Sequence, residues 1–116
     1  MTAVAVLGTG RMGSAMARAL ATNPKIVLYD EPTSGLDPVM TRVIDDLIVN
    51  LRDQAGTTNV VVSHHLPSIL RIADHILMLH DGHIMAEGTP QEVQLSDSPV
   101  VRQFLEGQAS GPITVR

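Results

Sequence analysis

The chain is most distinctive for what it lacks. Cysteine is absent from the 116 residues, which excludes disulfides and thiolate metal sites and fits a reducing, cytoplasmic setting. Tyr29 and Phe104 are the only aromatic residues, so no stacking surface for bases is available and the core must be aliphatic. Lys25 is the only lysine and the formal net charge is −4, so we expect no nucleic-acid partner.

Long apolar runs are lacking as well. No stretch approaches the ~20 residues that a membrane span needs, and Arg11 and Arg18 interrupt the apolar N-terminal stretch. We therefore expect no membrane span, no signal peptide and no membrane partner. The length fits one domain over residues 1–116, in which 108–116 form a tail.

Short β-rich runs alternate with helical patterns, which predicts an α/β fold of parallel strand–helix units. The first three strands are strongly apolar, as is typical of a parallel sheet buried on both faces. Asp81-Gly82 predicts a tight hairpin between the last two strands, because a type I′ turn needs positive φ at both positions. Strands are predicted at 3–7, 26–29, 59–62, 75–79 and 83–86.

A long helix is predicted after the second strand, with Asp37 as N-cap, Pro38 in the first turn and Gly56 beyond the end. A capping box at Thr89–Glu92 predicts another helix start, and shorter helices are expected near 67–72 and 99–105. On the long helix we assign an apolar face to Val43, Ile44, Leu47, Ile48 and Leu51 and a solvent face to Arg42, Asp45, Asp46 and Arg52.

The first predicted strand runs into a G-x-G-x-x-G loop that opens a helix. In such a loop the first glycine permits a tight turn, the second admits a pyrophosphate, and the third lets helix and strand pack closely. The helix N-terminus adds free N–H groups and a partial positive charge. The loop predicts a dinucleotide site, and the alternative is a turn that binds nothing. Its residues are Gly8, Thr9, Gly10, Arg11, Met12 and Gly13.

The stretch VLGTGRMGSAMARAL, residues 6–20, resembles the N-terminus of the 6-phosphogluconate, hydroxyisobutyrate and imine reductase superfamily of dehydrogenases. The resemblance covers about residues 1–21 and implies a Rossmann strand–helix unit that binds NAD or NADP. The catalytic residues of that superfamily come from a second, helical domain, so the resemblance implies binding without turnover.

A second stretch, IVLYDEPTSGLDP at 26–38, resembles the Walker B strand and D-loop of ABC transporter ATPases. The resemblance implies that Asp30 helps to hold Mg²⁺ through water, that Glu31 polarises the attacking water, and that Ser34–Asp37 face a dimer partner. VVVSHH at 60–65 is similar to the switch-histidine strand, with His64 in the histidine position and His65 where Asp is commoner. The similarity covers about 90 residues, and its C-terminal part resembles the ATPases of lipid-trafficking systems of Gram-negative bacteria.

The ABC pattern is incomplete in this sequence, which contains no G-x-x-x-x-G-K-[ST] loop and no LSGGQ-type signature. Without a lysine for the phosphates we expect no ATP hydrolysis, no enzyme activity and no transporter subunit as partner. Asp30, Glu31 and His64 are then polar strand ends inherited with the fragment. We interpret the chain as a chimera, designed or natural, in which a reductase unit at 1–21 precedes an ABC-derived remainder at 22–107.

These considerations predict a three-layer αβα Rossmann-like sandwich with a mostly parallel five-stranded sheet. If the ABC-like part keeps its own packing, the strand order is 2-3-1-4-5 with strand 5 antiparallel, which places Ser63 and His64 beside the ribose of a bound dinucleotide. Asp30 is a further candidate, because a Rossmann fold uses an acidic residue at this spacing for the ribose 2′-OH.

We therefore expect a domain that binds NAD(P) without turnover. Hydroxyl and imidazole groups, helped by Arg11, accept a 2′-phosphate better than a carboxylate does, so NADP is favoured over NAD. Two alternatives stay open: a structural scaffold without a ligand, and a residual nucleotide hydrolase that uses Glu31 and His64. The sequence does not indicate an oligomeric state.

Overall fold

The computed structural model describes residues 4–7, as a backbone strand, and residues 23–107. The chain divides into two compact units, an N-terminal unit up to Ile72 and a C-terminal unit from Ala73. The glycine-rich loop at 8–13 and the expected tail at 108–116 lie outside the described residues. The assignment of one domain with a boundary near residue 21 therefore stays a prediction.

The N-terminal unit contains a parallel sheet of three strands in the order β1-β2-β3. The middle strand, β2, pairs Tyr29 with Leu7 on one side and Asp30 with Val62 on the other. Val27 and Tyr29 are fully buried, as expected of an apolar central strand. The strands are β1 (Val4–Leu7), β2 (Ile26–Asp30) and β3 (Thr58–Val62).

The predicted order 2-3-1-4-5 is wrong, since β1 pairs directly with β2 and β3 lies on the far side of β2. No five-stranded Rossmann sheet occurs among residues 4–7 and 23–107. The prediction placed the third strand between the first two, whereas consecutive strands usually pair with each other. The expected burial of β3 also fails, because Val60 and Val62 are 46% and 59% exposed.

Helix α1 (Pro38–Ala55) begins and ends where the sequence predicts. The Asp37 carboxylate accepts the Met40 N–H at 2.8 Å, and Gly56 adopts φ 66° and donates its N–H to the Arg52 carbonyl. The orientation of the helix differs from the prediction, because Val43 and Leu47 are 43% and 40% exposed. Its buried residues are Thr41, Ile44, Asp45, Ile48 and Leu51.

The core of the N-terminal unit lies between β2 and α1. Aliphatic side chains of the helix pack on the two buried residues of the strand, and a second helix, α2 (Leu66–Ile72), packs against α1. The Asn59 amide fixes the helix to β3 by donating to the Ile48 carbonyl at 3.3 Å. The cluster consists of Val27, Tyr29, Ile44, Ile48 and Leu51, with Val61 and Ile72 against it.

The C-terminal unit is built on an antiparallel hairpin of β4 (Ile76–His80) and β5 (His83–Gly88). Asp81 and Gly82 have φ values of 49° and 76°, which confirms the predicted turn. Helices α3 (Pro90–Gln94) and α4 (Pro99–Glu106) follow and contact β5, and the capping box at the start of α3 is confirmed. Among the helices described in both units, none is long and apolar enough to cross a membrane.

Tyr29 is a polar exception in the core. Its ring is fully buried, and its hydroxyl has no hydrogen-bond partner among the described residues. Desolvation by burial raises the pKa of Tyr29 from 10.0 to about 12. The phenol therefore contributes apolar area to the core at the cost of an unsatisfied donor.

We expect the free energy of unfolding to fall as pH rises from 10 to 12. In this range the unfolded chain ionises Tyr29 while the folded chain keeps the proton, because the pKa in the folded state is the higher one. Tyr29→Phe should remove most of this fall and, at pH 8, leave stability unchanged or raise it by about 1 kcal/mol. Urea unfolding at several pH values measures both effects.

The chain is well suited to this test because Tyr29 is its only tyrosine, so no other phenol contributes to the change. An equally steep loss of stability in Tyr29→Phe would show that another group causes it.

Candidate functional site

Polar side chains gather where β2 and β3 end. Because the two strands are parallel, their carboxyl ends lie at the same edge of the sheet. Asp30 is the last residue of β2 and Glu31 follows it, and Ser63 and His64 follow β3. The Glu31 N–H donates to the Val62 carbonyl at 2.7 Å, which extends the strand pairing by one step and holds the two ends together.

Glu31 has an unusual backbone conformation. Its φ of 47° is in the left-handed region, which costs a non-glycine residue roughly 1–2 kcal/mol. The conformation turns the chain out of β2 immediately after Asp30. The Glu31 side chain is 31% exposed and is therefore accessible from the edge of the sheet.

The Glu31 carboxylate contacts His64. Its Oε1 lies 2.9 Å from Nδ1 of the His64 ring. An ionised carboxylate can only accept, so Nδ1 carries the hydrogen and donates it, which leaves Nε2 as the free ring nitrogen. The hydrogen bond fixes one carboxylate oxygen, while Oε2 has no partner among the described residues. The pair thus presents an oriented carboxylate with one free oxygen.

A pocket surrounds this pair. Turns at 31–36 form one wall, where Ser34 N–H donates to the Glu31 carbonyl at 3.2 Å and Leu36 N–H to the Thr33 carbonyl at 3.2 Å. Gly35 takes φ 77° in this wall, a conformation that favours glycine. The pocket is lined by Glu31, Thr33, Ser34, Gly35, Leu36, Thr41, His64 and His65.

Sequence reasoning missed a polar network behind the pocket. Asp45 was expected on the solvent face of α1, but it is 1% exposed and bonds to Ser68 and Arg71 of α2. A helical-wheel signal existed, because Asp45 lies four residues after Thr41 and three before Ile48 and therefore shares their buried face. An amphipathic pattern predicts that a charged residue faces solvent. Asp45 is buried because its hydrogen-bond partners, Ser68 and Arg71, belong to another helix.

The described part of the predicted binding site lies at one edge of the sheet. Asp30, Ser63 and His64 all occur there, and Asp30 is on the strand next to β1 rather than two strands from it. Whether these residues bind a nucleotide stays a prediction, as it does for the loop at 8–13, which is outside the described residues. Within the described ranges, no group of three or more His, Asp or Glu residues could hold a metal ion.

Comparison with known proteins gives one consistent result, although no protein-family model matches the chain. The intermembrane phospholipid transport system ATP-binding protein MlaF of Escherichia coli K12 is 46% identical over 103 residues, which are 89% of this chain and 38% of MlaF. The ADP conformation of MJ1267, an ATP-binding cassette of an ABC transporter, has a TM-score of 0.68 and 34% identity over 81% of this chain and 37% of MJ1267.

A dimeric post-hydrolysis state of the ATP-binding cassette MJ0796, bound to ADP and Pi, has a TM-score of 0.58 and 39% identity over 66% of this chain and 32% of that one. The observed structure is accordingly an α/β fragment of an ABC ATPase domain. The chain spans less than two fifths of the length of MlaF.

The comparisons contradict the main functional expectations. Binding of NAD(P) without turnover, NADP as cofactor and the absence of enzyme activity are wrong, because the relatives are ATP-binding proteins and MJ0796 is seen after hydrolysis. The expected absence of membrane and transporter partners is also wrong, since the relatives belong to transport systems. The error has a physical origin, because a glycine-rich loop before a helix suits the phosphates of mononucleotides and dinucleotides alike.

The reductase-like interpretation of residues 1–21 has no support from the comparisons. A match of 103 residues is longer than the stretch 22–116, so the similarity to MlaF extends into the segment that we assigned to a reductase. The boundary near residue 21 was drawn from the G-x-G-x-x-G loop between a predicted strand and helix and from the resemblance of residues 6–20 to those dehydrogenases, which together cover only about 20 residues.

Proposed function

We propose, from the homology of most of this chain to the ATP-binding cassettes of ABC transporters, that it takes part in the ATP hydrolysis that drives a transporter. The observation that carries the proposal is the contact between Glu31 and His64 in an open pocket. Membrane subunits of a transporter are then its partners, and it acts at the cytoplasmic face of a membrane. The similarity to MlaF supports lipid as the transported class.

Glu31 is the group that acts on the attacking water. With Oε1 held by His64, the free Oε2 is positioned to accept a proton from water and to orient its lone pair. In phosphoryl transfer such orientation supplies much of the catalysis, since little covalent chemistry is left to the protein. The Nε2 atom of His64 has no partner among the described residues, and in a ring that carries a hydrogen on both nitrogens it would donate to the phosphate.

Asp30 is the residue that would help to hold Mg²⁺, which supplies charge neutralisation for the phosphates of bound ATP. Its carboxylate suits the preference of Mg²⁺ for oxygen ligands and is exposed beside Glu31. The Asp30 carboxylate has no ion pair or hydrogen bond with another described residue, so it is free to hold Mg²⁺ through a bound water.

The glycine-rich loop is the remaining part of the proposed site. Gly8 and Gly13 have the spacing of the two glycines in G-x-x-x-x-G-K-[ST], but Ser14 and Ala15 stand where that pattern has lysine and serine or threonine. We assign phosphate contact to the backbone of this loop. Because the lysine charge is missing, hydrolysis should be slow.

Replacing Glu31 by Gln should abolish most phosphate release from ATP in the presence of Mg²⁺. The amide keeps the shape and can still contact His64, but it cannot take a proton, so we expect a fall in kcat of roughly 10²–10⁴-fold with KM little changed. Asp46→Asn is the matched control, because Asp46 is an exposed carboxylate of the same unit whose one ion pair among the described residues is with Arg42 at 3.8 Å. Equal rates in all three proteins would contradict the role of Glu31.

Restoring the lysine provides an independent test. The double change Ser14→Lys and Ala15→Thr completes the G-x-x-x-x-G-K-[ST] pattern and should raise kcat/KM for ATP by at least about tenfold. Ser14→Gln with Ala15→Thr controls for side-chain length without the charge. If the lysine variant hydrolyses ATP no faster than this control, the loop at 8–15 does not contact the phosphates.

A further inference from the structure

Asp45 is a buried carboxylate that the proposed chemistry does not use. It projects from α1, is 1% exposed, and accepts hydrogen bonds at Oδ2 from Ser68 at 2.9 Å and from Arg71. Both partners belong to α2, so the carboxylate ties the two helices together. A charge of this kind is retained in a protein interior only when it is paired and hydrogen-bonded.

The direction of the hydrogen bonds can be deduced. Ser68 has one hydroxyl hydrogen, and it goes to Asp45 because an ionised carboxylate only accepts. The Ser68 oxygen therefore accepts from Nδ1 of His65, which lies 2.8 Å away. A chain of donors runs from His65 through Ser68 to Asp45, and it requires the hydrogen of the His65 ring to be on Nδ1.

His65 is held by its backbone as well as by its ring. Its N–H donates to the Ser63 hydroxyl at 3.0 Å, and its carbonyl accepts the Ile69 N–H at 3.3 Å. His64 lies between these fixed positions, and among the described residues its ring forms a hydrogen bond only with Glu31. The position of the His64 ring thus depends on how firmly its neighbour is held.

We propose that Asp45, acting through Ser68 and His65, is a positioning residue that holds the 63–65 loop so that His64 stays against Glu31. The same face of α1 carries Thr41, four residues earlier, which lines the pocket. Helix α1 therefore positions both Thr41 in the lining of the pocket and, through Asp45, the loop that carries His64. The catalytic consequence rests on the proposed function, whereas the positioning itself does not.

The positioning is tested without nucleotide, by the ring nitrogen signals of the histidines in the ¹⁵N-labelled full chain at pH 8. In the parent, both His64 and His65 should be protonated on Nδ1. Ser68→Ala should shift His65 toward the Nε2-protonated form and also weaken the Nδ1 hydrogen bond of His64. Glu31→Gln should change His64 alone.

Thr57→Val is the matched control for the loss of a buried hydroxyl. Thr57 is 5% exposed in the same unit and donates to Asn59 at 2.8 Å, at the opposite end of β3 from the pocket. Both histidine rings should keep their parent signals in this variant. His65→Ala changes an exposed residue and should weaken the Nδ1 hydrogen bond of His64 as Ser68→Ala does. It serves as the test if replacement of the buried Ser68 prevents folding.

Phosphate release separates the two proposals. If the chain hydrolyses ATP, Ser68→Ala should lower kcat roughly ten- to a hundredfold with KM unchanged, and Ser68→Thr, which keeps the hydroxyl, should restore it. Unchanged His64 signals in both Ser68→Ala and His65→Ala would overturn the positioning role. If instead the rings respond as expected but the parent releases no phosphate, the inference about Asp45 stands and the hydrolytic function fails.

Discussion

The hydrogen bond from the Glu31 N–H to the Val62 carbonyl is the constraint on which the site depends. It continues the parallel pairing of β2 and β3 past the end of β2, at the residue where the backbone enters the left-handed region. The left-handed turn then directs the carboxylate toward the residues that follow β3. Without this bond, the unfavourable φ of Glu31 would relax and the carboxylate would separate from His64.

The site combines a strand that is anchored in the core with side chains that are accessible to solvent. Val27 and Tyr29, fully buried in β2, anchor the strand just before Asp30 and Glu31. His64, in contrast, is 79% exposed in its side chain, so its position comes from polar contacts and not from packing. An exposed ring held by a hydrogen bond can move when a phosphate oxygen competes with Glu31 for the hydrogen on Nδ1, whereas a packed ring could not.

The sequence correctly predicted the features that depend only on interactions between neighbouring residues. Asp37 caps its helix and Asp81-Gly82 form the hairpin turn, because each depends on a few neighbouring residues. The strand order and the burial of Asp45 depend on contacts between distant segments and were predicted wrongly. For the site, the sequence named Glu31 and His64 together only in the alternative of a residual hydrolase, and the structure places their side chains 2.9 Å apart. Ser68 gave no signal in the sequence.

The most direct test of the account is a titration of the Glu31→Gln protein with Mg²⁺ and ATP, followed by backbone amide chemical shifts. The variant blocks turnover, so binding is observed alone. The account predicts that the amides of residues 31–36 and of Ser63 and His64 shift most, while those of the hairpin turn at Asp81-Gly82 stay unchanged. Shifts confined to the hairpin, or none at millimolar ATP, would contradict the assignment of this chain's pocket to ATP hydrolysis.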